Sequence, residues 1–106
     1  MTNYLLAYTG GGSMADATPE QQAAVMAAWG AWFGALGSAV VDGGNPVGAA
    51  ATLQPDGSRA DGGVSSLTGY SIISAGSLAA ASDLAKGCPL LSSGGTVEVY
   101  EIVPAM

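Results

Sequence analysis

Two helix signals, each opened by a hydroxyl side chain and closed by glycine, punctuate this chain and leave strands for the rest. Thr18 stands at an N-cap, Pro19 fits the first helical position, Glu20 suits the positive end of the helix dipole, and Gln21 completes a capping box. The large apolar residues that follow, Val25, Met26, Trp29, Trp32, Phe33 and Leu36, fall on one helical stripe, and Gly37 is the left-handed stop. Ala27, Gly30, Ala31 and Gly34 leave much of the remaining helix surface small. Ser77 caps a second helix over residues 78–86, which Gly87 and then Pro89 terminate.

Around these helices the apolar period changes to two. Residues 3–9 alternate Tyr4, Leu6 and Tyr8 with Leu5 and Ala7 and predict a first strand. Val40-Val41-Asp42 reads as a short strand running into the turn Gly43-Gly44-Asn45-Pro46. Residues 49–54 predict another strand, Pro55-Asp56-Gly57 a turn, residues 58–60 a return strand, and residues 61–66 a loop. In the strand at 69–74, Tyr70 and Ile72 take one face and Ile73 the other. The last strand, 96–103, sets Val97 and Val99 against Glu98, Tyr100 and Ile102.

The order β-α-β-β(-β)-β-α-β, in 106 residues, predicts a single domain over 1–106. The expected architecture is α+β, a ferredoxin-like two-layer sandwich with an antiparallel sheet and two helices on one face. Tyr100 and Ile102 then lie on the face away from the helices, and the sheet of a second copy is the expected cover. Only 9% of residues are charged, against about 25% in ordinary proteins. Such a surface suits burial in a homodimer.

Composition removes whole classes of function. Two basic residues, Arg59 and Lys86, stand against eight acidic ones for a net charge of −6, so nucleic-acid binding is excluded. With no histidine, imidazole bases, Ser-His-Asp and Cys-His nucleophiles and His-ligated metals are excluded too. The carboxylates are scattered singly, and no metal or cofactor is expected. One cysteine, Cys88, cannot form an internal disulfide; it reads as a structural thiol and points to a reducing cytoplasm. Met1-Thr2-Asn3-Tyr4 lacks the positive region of a signal peptide. Residues 23–41 are uncharged, but rich in Ala and Gly, interrupted by Gly37-Ser38 and without flanking cations, so a buried or interfacial helix explains them better than a membrane span.

The stretches Gly69-Tyr70-Ser71-Ile72-Ile73, Leu84-Ala85-Lys86-Gly87-Cys88-Pro89 and Gly94-Gly95-Thr96-Val97-Glu98-Val99-Tyr100-Glu101-Ile102 closely resemble the YCII-related (DGPF) domain family. Trp29-Gly30-Ala31-Trp32-Phe33 and Asp42-Gly43-Gly44-Asn45-Pro46 resemble its small bacterial members. The resemblance implies a dimeric α+β barrel, in which two ferredoxin-like sheets pack face to face around small cavities. The family's Asp-Gly-Pro-Phe corresponds here to Asp61-Gly62-Gly63-Val64. Members with a proposed His-Asp site carry a histidine, sometimes just after the Cys-Pro element, where this chain has Leu90; that chemistry does not transfer.

Several residues remain as site candidates. Gly10-Gly11-Gly12-Ser13-Met14-Ala15 formally fits a dinucleotide fingerprint, but the helix starts only at Pro19 and no acidic residue ends a second strand, so it reads as a loop able to act as a lid. Asp42 is either the cap of its turn or a carboxylate at a cavity edge, and Glu98 either a solvent contact or a partly desolvated interface group. Trp29, Trp32, Tyr4, Tyr8 and Tyr70 are core aromatics or, where a pocket exists, its walls. The leading expectation is a homodimer binding a small, largely apolar molecule. The alternatives are a lyase or isomerase using Asp42 or Glu98 with a tyrosine such as Tyr70, and a regulatory protein-interaction module.

Overall fold

A computed structural model of the chain describes residues 1–11, 17–63 and 65–105. In chain order the elements are β1 (Thr2–Thr9), α1 (Pro19–Leu36), β2 (Val40–Asp42), β3 (Ala51–Leu53), β4 (Arg59–Asp61), β5 (Leu67–Ala75), α2 (Leu78–Ala85) and β6 (Thr96–Glu101). The capping box closes in both directions: the Gln21 amide N–H donates to Thr18 Oγ1 at 3.1 Å, and the Thr18 N–H donates to Gln21 Oε1 at 2.9 Å. Gly37 ends α1 at φ +56° and returns its N–H to the Phe33 carbonyl. Ser77 Oγ accepts the Ala80 N–H at the start of α2.

The main sheet runs β2-β5-β1-β6 with every pairing antiparallel. β1 and β2 are joined through α1 with β5 between them, and β5 and β6 through α2 with β1 between them. That interleaving is the ferredoxin-like βαββαβ topology anticipated from the element order. Register sets the two faces. Leu6 lies opposite Ser71 and Val99, so Tyr4, Leu6, Tyr8 and Ile73 face the helices and form the core with Trp32, Ala81 and Ala85. Leu5, opposite Ile72 and Tyr100, belongs to the other face, with Ala7, Tyr70 and Glu98.

The strand at 49–54 and its return strand form as β3 and β4, shorter than expected, and pair with each other in a two-stranded hairpin apart from the main sheet. The flank of β5 is already occupied, because Asn45 O accepts the Tyr70 N–H at 3.2 Å, Pro46 bridges Gly69, and the Val47 N–H reaches Thr68 O at 3.0 Å. With no room beside β5, the hairpin stands apart and leaves Leu53 exposed. Met26 sits on the predicted stripe yet is 73% exposed; of the first turns of α1 only Val25 is half-buried, and the helix meets the core from Trp29 onward. The last strand ends at Glu101, although the Ile102 N–H still pairs with Asn3 O. Among the described residues no helix is long and apolar enough to cross a membrane.

Gly44 makes the seating of the turn on β5 possible. It has φ +75°, and a Cβ there would stand 1.7 Å from the Tyr70 carbonyl oxygen, an overlap with backbone that no rotamer relieves. Gly34, by contrast, has no neighbour within 4 Å of its missing Cβ and lies inside α1. Gly44→Ala is expected to cost at least about 2 kcal/mol, whereas Gly34→Ala is expected to gain roughly 0.5–1 kcal/mol from helix propensity. Urea unfolding of the two variants against the parent measures both signs.

Candidate functional site

The two helices meet the sheet differently because their inward side chains differ in size. α2 presents Ala81 and Ala85, both buried, and so lies close to the strands. α1 presents Trp29, Trp32 and Phe33, which make edge and tilted contacts at centroid separations of 5.0–6.0 Å. β5 turns Gly69, Ser71, Ile73 and Ala75 toward the helices, and the two that lie at Trp29 and Phe33 are the small Gly69 and Ser71. Large residues on the helix and small ones on the strand leave a hollow of about 310 Å³ between them. Trp29, Phe33 and Met26 form its α1 wall, Tyr8, Gly69 and Ser71 its floor, Leu90 its far side, and Gly43-Gly44-Asn45-Pro46 its rim. A space of this size falls at the small end of ligand pockets, and its lining is mostly apolar.

The floor is polar only through one ordered relay. The Gly43 carbonyl can only accept, so Ser71 Oγ donates to it at 2.7 Å; Tyr8 Oη must then donate to Ser71 Oγ, also at 2.7 Å. Ser71 has no exposed surface and Tyr8 is 6% exposed, so both hydroxyls work away from bulk water. Burial pushes the Tyr8 phenol up to about 12, with the bond to Ser71 opposing that shift. Thr68 Oγ1 donates to the Tyr8 carbonyl at 3.2 Å and holds the strand edge beneath the cavity. Tyr8 also meets Trp29 edge-on at 5.2 Å and 73°, linking floor to wall.

The aromatic residues singled out in the sequence divide between this site and other places. Tyr8 and Trp29 line the cavity together. Trp32 lies behind them: its indole N–H donates to Leu84 O at 3.1 Å, and Gly87 lets α2 end against its ring, since a Cβ there would lie 3.0 Å from Trp32 Cδ1. Tyr4 is enclosed in the core, in register with Ile73. Tyr70, paired with Ala7, is on the opposite face of the sheet and does not meet the other aromatics.

Neither candidate carboxylate is brought to the cavity. Asp42 Oδ1 accepts the Gly44 N–H at 2.8 Å, which is the bond of a turn cap. Glu98 is on the open face, where its carboxylate accepts the Tyr100 hydroxyl proton at 3.1 Å and raises that phenol's pKa. Cys88 is buried before a short 3₁₀ turn over Pro89–Ser93, and desolvation pushes its thiol up, away from the reactive thiolate. Of the glycine-rich loop, Gly10 and Gly11 are described; positions 12–15 of it lie outside the described residues.

Sequence reasoning missed Ser71, Phe33, Met26 and Leu90 as cavity residues. Ser71 had a signal: a hydroxyl on the inward period of an apolar strand needs a buried partner. Leu90 had none, because its place depends on how the 3₁₀ turn folds back toward α1. A second hollow, about 530 Å³, opens beside the hairpin between Val47 and Leu67, but among the described residues it has neither aromatic nor titratable lining. Also among the described residues, no three acidic or thiol side chains converge as a metal site.

An antiparallel ferredoxin-like sandwich with an apolar hollow under its first helix defines the class of protein. The chain belongs to the YCII-related domain family, whose model matches residues 1–106. A search of the curated proteins finds no match.

The relay has a consequence at high pH. Because the folded protein holds the Tyr8 proton to about 12 while the unfolded chain releases it near 10, the stability carried by this group is full below about pH 10 and is lost between about pH 10 and 12. Thermal unfolding followed across that window is expected to fall more steeply for the parent than for Tyr8→Phe, and tyrosinate absorbance locates the late-titrating phenol.

Proposed function

We propose that this chain is a YCII-type domain that holds a small, largely apolar molecule in the hollow between α1 and β5. The observation that carries the reading is that hollow itself, with Trp29, Phe33 and Leu90 around a floor whose hydroxyls are already bonded to protein. Filling it would remove the exposed edges of Trp29 and Phe33 from water, at about 25 cal/mol per Å² of apolar area. Orientation would come from few polar groups, the usual division of labour in such pockets. The enzyme alternative needs a carboxylate within reach of a bound molecule. No Asp or Glu is among the described residues that line the hollow, which favours binding over proton transfer.

A thermal-shift titration with compact bicyclic aromatics such as naphthalene and indole tests the reading. Stabilisation of about 2.7 kcal/mol is expected when the ligand is at 100 times its Kd. Trp29→Leu is expected to weaken the same ligands by about tenfold, the loss of roughly 1.4 kcal/mol of wall contact. Absence of any shift up to the solubility limit of the whole panel would end the proposal.

We also propose that the domain works as a homodimer through the open sheet face. Supporting this are the half-buried Leu5, Tyr70, Ile72 and Ile102 together with Tyr100, which is 51% exposed, on a face no helix covers. Two acidic side chains are set in register on that face, Glu98 opposite Ala7 and Asp42 opposite Ile72, so its apolar centre is flanked by carboxylates. Light scattering at micromolar concentration is expected to give twice the chain mass, and Ile72→Glu, which places a charge opposite Leu5, is expected to give the chain mass. A monomeric parent protein would contradict the proposal.

A further inference from the structure

The hydrogen-bond directions around the hollow restrict what it accepts. Gly43 O takes the Ser71 proton at the rim, and Ser71 Oγ in turn takes the Tyr8 proton along the floor. Tyr8 Oη therefore presents lone pairs and no proton to an occupant. Thr68 has committed its proton to the Tyr8 carbonyl, and the Gly44 N–H is held by Asp42. The side-chain donors at the walls and rim, the Trp29 indole and the Asn45 amide, are neutral: they can meet an oxygen but cannot neutralise a charge.

Charge is equally one-sided. The chain has two basic side chains, and both are tied on the surface: Arg59 to Asp61 at 3.2 Å and Lys86 to Asp83 at 3.0 Å. Neither is among the residues around the hollow, and the net charge of −6 disfavours any anion approaching it. A carboxylate entering this space would lose its hydration with no cation to replace it. An alcohol or phenol of the same skeleton would lose far less and would give its proton to Tyr8 Oη. As for size, an apolar cavity of roughly 150 Å³ takes up benzene, and this one, at about 310 Å³, admits a bicyclic skeleton.

Resting on the binding reading above, we infer that the hollow selects an uncharged, apolar alcohol or phenol of bicyclic size, whose hydroxyl donates to Tyr8 Oη, and discriminates against the corresponding carboxylate. Tyr8 and Ser71 are thereby specificity-determining residues, acting through the direction of their protons.

The test compares naphthalene, 2-naphthol and 2-naphthoate on the parent protein at neutral pH, with Trp fluorescence as the binding readout. 2-Naphthol is expected to bind about three- to tenfold tighter than naphthalene, the worth of one hydrogen bond. It is expected to bind at least about a hundredfold tighter than 2-naphthoate, whose charge would go unpaired. Tyr8→Phe is expected to erase the preference of 2-naphthol over naphthalene while leaving naphthalene bound. Equal affinity for 2-naphthol and naphthalene, or tightest binding of 2-naphthoate, overturns this inference and leaves the binding reading standing. Failure of all three to bind overturns both. The parent comparison decides the matter even where Tyr8→Phe does not fold.

Discussion

Ser71 is fully buried in the middle of β5, and its single hydroxyl joins three separate parts of the chain. Through its oxygen it holds Tyr8 of β1, and through its proton it holds the Gly43 carbonyl of the turn after β2. A buried hydroxyl or carbonyl left without a partner costs about 1–3 kcal/mol, so the three groups stand or fall together. The turn in turn reaches Ser71 only because Gly44 lacks a Cβ at the point where it crosses the Tyr70 carbonyl. Once seated, it continues along β5 through Asn45, Pro46 and Val47, rims the cavity, and displaces the β3–β4 hairpin from the sheet. The same small network thus closes the sheet edge, shapes the cavity and sets the polarity of its floor.

Volume distribution explains why a cavity forms beneath α1. Trp32 anchors the helix, since its indole proton caps the Leu84 carbonyl and Gly87 makes room for its ring. That anchor fixes Trp29 and Phe33 above Gly69 and Ser71, where the strand has little to offer in return. A close-packed core would fill such a gap. Here the relay occupies the position a larger side chain would need, and retaining it keeps the space open.

Electrostatics act mainly by absence. The two basic side chains are paired to neighbours on the surface, histidine does not occur, and each carboxylate proposed for chemistry has a local structural partner. What polar character the cavity has comes from neutral hydroxyls whose proton directions are dictated by a single backbone carbonyl. Orientation, rather than charge, is the property such a site can use to discriminate.

Much of the fold was legible because it rests on local signals. Thr18, Pro19, Gln21 and Gly37 bracket α1, Ser77 opens α2, and the alternation of Tyr4, Leu6 and Tyr8 against Leu5 and Ala7 assigns the faces of β1. Each depends on chemistry within a turn or on a period of two, and both are written in neighbouring residues. The site was legible only in part. Trp29 and Tyr8 could be named as aromatics able to wall a pocket, but so could Trp32, Tyr4 and Tyr70, and periodicity alone does not say which of these shares a face and which is enclosed. The sequence determined the elements, their order and the scarcity of charge. The tertiary structure decided that Asn45, Pro46 and Val47 rather than the hairpin would lie beside β5, that Tyr70 would turn from the cavity, and that Ser71 would take up the Tyr8 proton. Those outcomes depend on contacts between residues far apart in the chain, such as Tyr8 with Ser71 and Trp32 with Leu84, and no local pattern encodes such a contact until the backbone has brought the partners together.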